Sequence, residues 1–131
     1  MGATPAAARA FIHHYLATVT YSMRTGDVAA TRDLSSGDCG TCASVLKRVD
    51  SIYRRGARVK GAGWTARSLI PLRAGMSDRI VFAARVVQSR QVLVDKEGRR
   101  VDTDSRRVMP MEIELVRRAG GWVVAEMVIL R

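Results

Sequence analysis

The chain contains two cysteines, Cys39 and Cys42, separated by two residues, and this pair is its most specific chemical motif. Two thiols at this spacing can form a local covalent clip, act as a redox pair or supply two ligands to a metal. No strand is predicted before the motif, so the βαβ context of a thioredoxin-like site is missing. Zinc would need two more ligands, and His13 and His14 belong to a different predicted helix. The sequence favours a covalent clip and leaves the redox and metal alternatives open.

The two histidines, His13 and His14, are neighbours in the chain. Consecutive residues of a helix point about 100° apart, so these two cannot serve one ligand on one face. His14, beside Tyr15, could act as a general base or as a polar group in a pocket. The alternative is a hydrogen-bonded histidine at the boundary of the core, which we favour.

Three glutamates, Glu112, Glu114 and Glu126, fall at alternating positions of strands that we predict to be adjacent. Together with Arg85 they could form an inward polar patch suited to acid–base chemistry. The opposite face of the same strand is continuously apolar: Met109, Met111, Ile113 and Leu115. This pattern favours a solvent-facing position for the glutamates, with cross-strand Glu–Arg pairs. We therefore predict no catalytic residue and no cofactor.

A candidate pocket is defined by the side chains that the first helix and the sheet would present to each other. We expect a modest, largely apolar pocket near Tyr15 and Trp64, because few aromatic side chains are available to fill the space. The ordinary alternative, which we prefer, is core packing with methionine as gap-filler. The candidate lining residues are Phe11, His14, Tyr15, Tyr53, Trp64, Met109 and Met111.

Three helices are predicted in the first half of the chain. Thr4 begins a long amphipathic helix that Gly26 ends. Asp27 is predicted to cap a short helix that reaches about residue 34. Asp38 is predicted to cap a third helix that reaches about residue 55, and Gly56 stops it.

Strand periodicity replaces helical periodicity after residue 57. Four long strands are predicted at about 63–73, 79–95, 101 or 106 to 118, and 122–130. The fold class is α+β: three N-terminal helices, one of them long, packed on a curved four-stranded antiparallel sheet. The length fits a single domain over 1–131, with a helical half at about 4–56 and a sheet half at about 57–131.

The chain is strongly basic, with a net charge of +10 from 22 Lys and Arg against 12 Asp and Glu. This charge would attract polyanions, including nucleic acid and an anionic cell-envelope surface. No run of five like charges occurs, so we interpret the charge as a general surface property. We do not expect nucleic-acid binding, because neither a helix-turn-helix nor a stacked-aromatic sheet pattern is present. No stretch approaches the ~20 apolar residues of a membrane span.

The order of helices and long antiparallel strands resembles the nuclear transport factor two-like superfamily, a cystatin-like, cone-shaped α+β barrel. More narrowly, the chain resembles an actinobacterial family of lipoproteins of unknown function. The residues that carry this second resemblance are Ala10 to Tyr15, Tyr21, Arg24 to Asp27, Asp38-Cys39, Cys42 and Gly63-Trp64. It implies an extracytoplasmic, membrane-anchored lipoprotein whose signal and linker are absent from this sequence. An exported protein also favours the disulfide among the interpretations of Cys39 and Cys42.

The function predicted from these observations is a non-catalytic, extracytoplasmic binding or interaction domain of a lipoprotein. The alternative is a small enzyme or hydrophobic-ligand binder that uses the pocket of the cone. A lesser alternative is polyanion or nucleic-acid binding through the basic surface. The partner would be a small apolar ligand or a protein, and a homodimer could form through the sheet face.

Overall fold

A computed structural model describes residues 4–76 and 78–130 of the chain. In these residues the helical half comprises three helices. Helix α1 spans Pro5–Thr25, α2 spans Ala29–Asp33 and α3 spans Gly40–Arg54. Thr4 caps α1 by accepting a hydrogen bond from the backbone N–H of Ala7 at 3.1 Å. Gly26 ends α1 with a φ of 82°, which glycine adopts without steric cost. The predicted ends of the first helix are therefore confirmed.

The predicted cap of α3 is corrected by one residue. Cys39, and not Asp38, occupies the N-cap position, where its Sγ accepts from the backbone N–H of Cys42 at 3.1 Å. Sulfur can take this role because Cys39 has the extended backbone of an N-cap residue. In α2 the cap position belongs to Val28, while Asp27 still accepts from the backbone N–H of Ala29 at 3.1 Å.

Within residues 4–76 and 78–130, seven strands form two antiparallel sheets. Strands β2 (Trp64–Met76), β3 (Arg79–Gln88), β6 (Arg107–Arg118) and β7 (Gly121–Ile129) form a four-stranded sheet in the order β2-β3-β6-β7. Strands β1 (Arg58–Lys60), β4 (Gln91–Val94) and β5 (Arg100–Asp104) form a three-stranded sheet in the order β1-β4-β5. The α+β class and the four-stranded sheet are as predicted, while the second sheet was not.

The second sheet arises because two predicted long strands bend. One bends at residues 89–90, between β3 and β4, and the other at residues 105–106, between β5 and β6. We call these two bends the elbow. At the elbow the backbone N–H of Ser89 donates to the carbonyl of Gly63 at 3.0 Å, which ties the bend to the start of β2. Strands β3, β4, β5 and β6 thus form one bent hairpin, whose outer arm consists of β4 and β5. The three-residue strand β1 pairs with β4 of this arm.

The main core lies between α1 and the inner face of the four-stranded sheet. Ile80, Phe82, Ala84 and Val86 of β3 are all buried, as the two-residue alternation predicts. The inward face of β6 is also as predicted, because Met109, Met111, Ile113 and Leu115 are buried. Residues 1–3, 77 and 131 of the predicted single domain lie outside the described residues, and the domain assignment stays a prediction.

The predicted glutamates lie on the outer face of the sheet. Glu112 is exposed, and Glu114 forms an ion pair with Arg79 of the neighbouring strand β3. Arg85, the predicted partner, is exposed. Ile70 and Leu72 are also exposed, at 59% and 51%. The homodimer predicted through the sheet face stays a prediction.

Candidate functional site

Tyr15 lies in the main core rather than in a pocket. Its side chain is 1% exposed, and its hydroxyl lies 2.8 Å from Ser35 Oγ. Ser35 Oγ donates to the carbonyl of Thr31 at 2.6 Å, so it accepts from Tyr15. Burial raises the pKa of Tyr15 above its ordinary value of 10.0, and the hydrogen bond between Tyr15 and Ser35 offsets part of this shift. The role of the Tyr15 side chain is therefore to pack in the main core.

Four other candidate pocket residues also contact no cavity described below. Met111 is buried in the main core, and Phe11 is half-buried against it. His14 is exposed, because it follows His13 on the outward side of α1. Tyr53 is half-buried and donates from its hydroxyl to the carbonyl of Met23 at 2.6 Å, joining α3 to α1. Around Tyr15 the side chains of α1 and the sheet meet in the core packing that we preferred over a pocket, and of the two residues named for the pocket only Trp64 lies beside a cavity.

A cavity opens instead between α3 and the elbow. We call it the inner cavity; its volume is about 390 Å³. The four-stranded sheet contributes its buried floor, Trp64 and Gln88, each 5% exposed. The remaining walls come from α1, α3, β1, the outer arm and the first residue of β6: Met23, Val45, Arg48, Val49, Ile52, Val59, Gln91, Asp102, Asp104 and Arg107. This volume falls in the range of small-molecule sites, about 300–1,000 Å³.

Two glutamine side chains in the inner cavity each have one free amide atom. Trp64 Nε1 donates to Gln88 Oε1 at 3.2 Å, and Gln91 Nε2 donates to Asp104 Oδ2 at 3.2 Å. An indole N–H can only donate and a carboxylate can only accept, so these partners fix which way each amide points. Gln88 Nε2 and Gln91 Oε1 are buried and have no hydrogen-bond partner among the described residues. Such atoms are costly to leave unpaired, which marks the cavity as a place where a polar group can gain by binding.

A wider groove continues from the inner cavity along β7. This outer groove runs between the first turns of α3, which include Gly40 and Thr41, and the end of β7, which includes Val128. Val45, Arg48, Trp64 and Arg107 line both spaces and therefore stand at their junction. Met109, another predicted pocket residue, lines the outer groove. Of the seven candidate residues, Trp64 and Met109 thus lie at the site, and their role in binding a ligand stays a prediction.

The sequence model of one protein family matches residues 2–128 of the chain. It is described as a family of unknown function, DUF6318. The chain belongs to this family. No curated protein matches the chain.

Solved structures share the fold at low identity. The intermembrane space region of the chloroplast protein ARC6 has a TM-score of 0.69 and 13% identity, covering 97% of this chain and 96% of that one. A Nostoc punctiforme protein of unknown function with a cystatin-like fold has a TM-score of 0.59 and 14% identity, covering 98% and 93%. A chain named as an NTF2 with five substitutions has a TM-score of 0.52 and 18% identity, covering 94% and 99%. The predicted nuclear transport factor two-like, cystatin-like fold is confirmed.

The disulfide between Cys39 and Cys42 is present, with Cα atoms 5.2 Å apart. Both cysteines are buried and belong to the main core cluster. Gly40 and Thr41, the residues between them, line the outer groove. The disulfide therefore fixes the first turn of the helix that forms one wall of the site. The described residues include no cluster of three or more His, Cys, Asp or Glu placed to hold a metal ion.

Gln88 and Gln91 were missed by sequence reasoning, although one signal was present. Gln88 falls on the same face of the strand as Ile80, Phe82, Ala84 and Val86, so a polar side chain on a buried face was visible in the alternation. Gln91 could not be placed in this way, because the alternation of inward and outward side chains along β3 does not continue through the bend into β4. The position of Asp104 opposite Gln91 depends on the same bend.

The basic surface leads to a separate prediction. The inner cavity is lined by two arginines and two aspartates, so the net charge of +10 is not concentrated there. We expect only weak attraction to DNA or anionic vesicles at low salt, because ions screen such charges within about 8 Å at physiological ionic strength. Fluorescence anisotropy with labelled DNA, and co-sedimentation with vesicles, should show binding vanish near 150 mM salt, a roughly physiological ionic strength. Tight, sequence-selective DNA binding at that salt would contradict this interpretation.

In the part of the chain that the structure covers, none of the helices has both the length and the hydropathy required to cross a membrane.

Proposed function

We propose that this domain is a binding module that takes a small molecule into the inner cavity. The observation that carries the proposal is the pair of buried, unpaired amide atoms, Gln88 Nε2 and Gln91 Oε1, in a cavity of about 390 Å³. Apolar side chains from α3 and the ring of Trp64 offer contacts for the body of a ligand. The amides offer directional hydrogen bonds that would orient it.

Binding is favoured over catalysis by the chemistry of the buried polar groups. Gln88 and Gln91 are amides, which neither release nor take up a proton near neutral pH. General acid–base catalysis needs a group that titrates near the working pH. The aspartates of the cavity lie on the outer arm, where Asp102 is exposed. These groups suit holding and orienting a ligand.

Trp64 provides a direct test, because the chain has only two tryptophans. Trp122 is half-buried and lies beside Arg117 on the last strand pair, outside the cavity. In a Trp122→Phe variant the fluorescence therefore reports on Trp64 alone. A fragment library screened against this variant should yield ligands that change the emission of Trp64.

Val45→Phe in the same background tests whether such ligands occupy the cavity. Val45 is half-buried at the junction of the inner cavity and the outer groove. The phenylalanine ring should fill this junction and weaken ligand binding about tenfold or more. Val123→Phe is a matched control, because Val123 is also half-buried but lies on β7 away from both spaces. Equal binding by the two variants, or an absence of any binding fragment, would refute the proposal.

We propose further that the domain works outside the cytoplasm as part of a lipoprotein. The disulfide supports this, because such bonds persist in oxidising compartments. The genomic sequence upstream of Thr4 should then encode a signal that ends in a cysteine for lipid attachment. A coding sequence that starts at Met1 without such a signal would refute it.

A further inference from the structure

The lining of the inner cavity includes two hydrogen-bonded pairs of side chains, and each pair contains a glutamine with one unpaired amide atom. Trp64 donates to Gln88, and Gln91 donates to Asp104, each at 3.2 Å. The second amide atom of each glutamine, the donor Gln88 Nε2 and the acceptor Gln91 Oε1, is buried and has no hydrogen-bond partner among the described residues. All four side chains line the same cavity. A group that accepts from Gln88 Nε2 and donates to Gln91 Oε1 would satisfy both unpaired atoms and join the two pairs.

We propose that the ligand of this cavity is an uncharged molecule with an apolar body and a hydroxyl group, and that the hydroxyl joins the two pairs. The inference rests on the proposed binding function and names the class of ligand. The hydroxyl oxygen accepts from Gln88 Nε2, and the hydroxyl proton is donated to Gln91 Oε1. The terminal torsion of a glutamine is soft, so each amide can adjust its direction to a bound hydroxyl.

Other ligand chemistries satisfy only half of this arrangement. A carboxylate or an ether can accept from Gln88 but cannot donate to Gln91. An ammonium can donate to Gln91 but cannot accept from Gln88. Because one buried partner would stay unpaired in each case, these groups are discriminated against.

The charges of the cavity point the same way. Arg48 and Arg107 are matched in number by Asp102 and Asp104, so the lining has no net formal charge. Neither a cation nor an anion is favoured by the cavity as a whole. The apolar contacts for the body come from Val45, Val49 and Ile52 of α3.

A matched series of probes on one ring tests the inference with the unaltered protein. The series is cyclohexanol, methoxycyclohexane, cyclohexanecarboxylate and cyclohexylammonium. The chain has two glutamines and no asparagine, so an NMR spectrum of side-chain amides contains only the NH₂ signals of Gln88 and Gln91. Cyclohexanol should bind about tenfold more tightly than each other probe and should move the Gln88 NH₂ signals downfield.

A Gln91→Met variant separates the hydrogen-bond role from general packing. Methionine keeps the length of the side chain but removes the acceptor, so the advantage of cyclohexanol over methoxycyclohexane should disappear. Leu69→Met, at a half-buried position of β2 outside the cavity, should preserve that advantage. The probe series does not depend on either variant, so a folding defect in Gln91→Met leaves the test intact.

Three outcomes would overturn the inference. Equal affinity for cyclohexanol and methoxycyclohexane in the unaltered protein would show that no donated bond to Gln91 forms, while the binding proposal would survive. Tightest binding of cyclohexanecarboxylate would assign recognition to Arg48 and Arg107 instead. Failure of all four probes, and of the fragment library, to perturb Trp64 or either glutamine would refute the inference and the binding proposal together.

Discussion

Replacing Tyr15 with alanine should lower the free energy of unfolding by about 4 kcal/mol. The side chain is 1% exposed and packs in the main core, so its removal leaves a cavity that the surrounding sheet cannot close. The variant also loses the hydrogen bond to Ser35. Urea unfolding followed by circular dichroism measures the change.

Tyr15→Phe is the matched control, because it removes the hydroxyl and keeps the ring. Ser35 Oγ retains its bond to the carbonyl of Thr31, so this variant should lose only about 1 kcal/mol. Full stability of Tyr15→Ala would place Tyr15 on the surface and invalidate the register of α1. A Tyr15→Phe variant as unstable as Tyr15→Ala would assign the effect to the hydroxyl rather than to packing.

Loss of the Cys39–Cys42 disulfide should lower the free energy of unfolding by about 2 kcal/mol. The bond closes a short loop, so the constraint that it places on the unfolded chain is at the low end for disulfides. Its sulfur also caps α3 at Cys39. The Cys39→Ala, Cys42→Ala double variant, compared with the oxidised protein by urea unfolding, measures this loss.

Reduction of the unaltered protein provides an independent comparison. Without reductant, both cysteines should resist alkylation in a mass measurement, and after reduction of unfolded protein both should react. Two reactive thiols in protein purified in air would contradict the disulfide. Equal stability of oxidised and reduced protein would instead show that α3 begins at Gly40 without help from the bond.

The parts of the fold that could be predicted are those governed by local chemistry. Thr4 and Gly26 marked the ends of α1, because capping and left-handed backbone are properties of single residues. The inward faces of β3 and β6 followed from two-residue alternation over ten and twelve residues. By contrast, no glycine or proline marks the elbow, so the alternation ran through it and the second sheet was hidden.

The candidate site was predicted only in part for the same reason. Trp64 was identified from its place at the start of a strand, and the inner cavity does lie beside it. Gln91 and Asp104 come from the outer arm, whose position is set by the pairing of β4 with β1. The expected position near Tyr15 assumed an open gap between helix and sheet, which the side chains of the main core fill.

Because of the bent hairpin, the size of the inner cavity can change while the main core stays the same. The outer arm, four residues of β4 and five of β5 ending in the turn around Gly98, supplies one wall, and the main core cluster includes no residue of this arm. Lengthening both strands by two residues would raise that wall by about 6.6 Å. Insertions and deletions at this exposed turn can therefore fit the inner cavity to larger or smaller ligands, in relatives or by engineering. No side chain of the main core has to change.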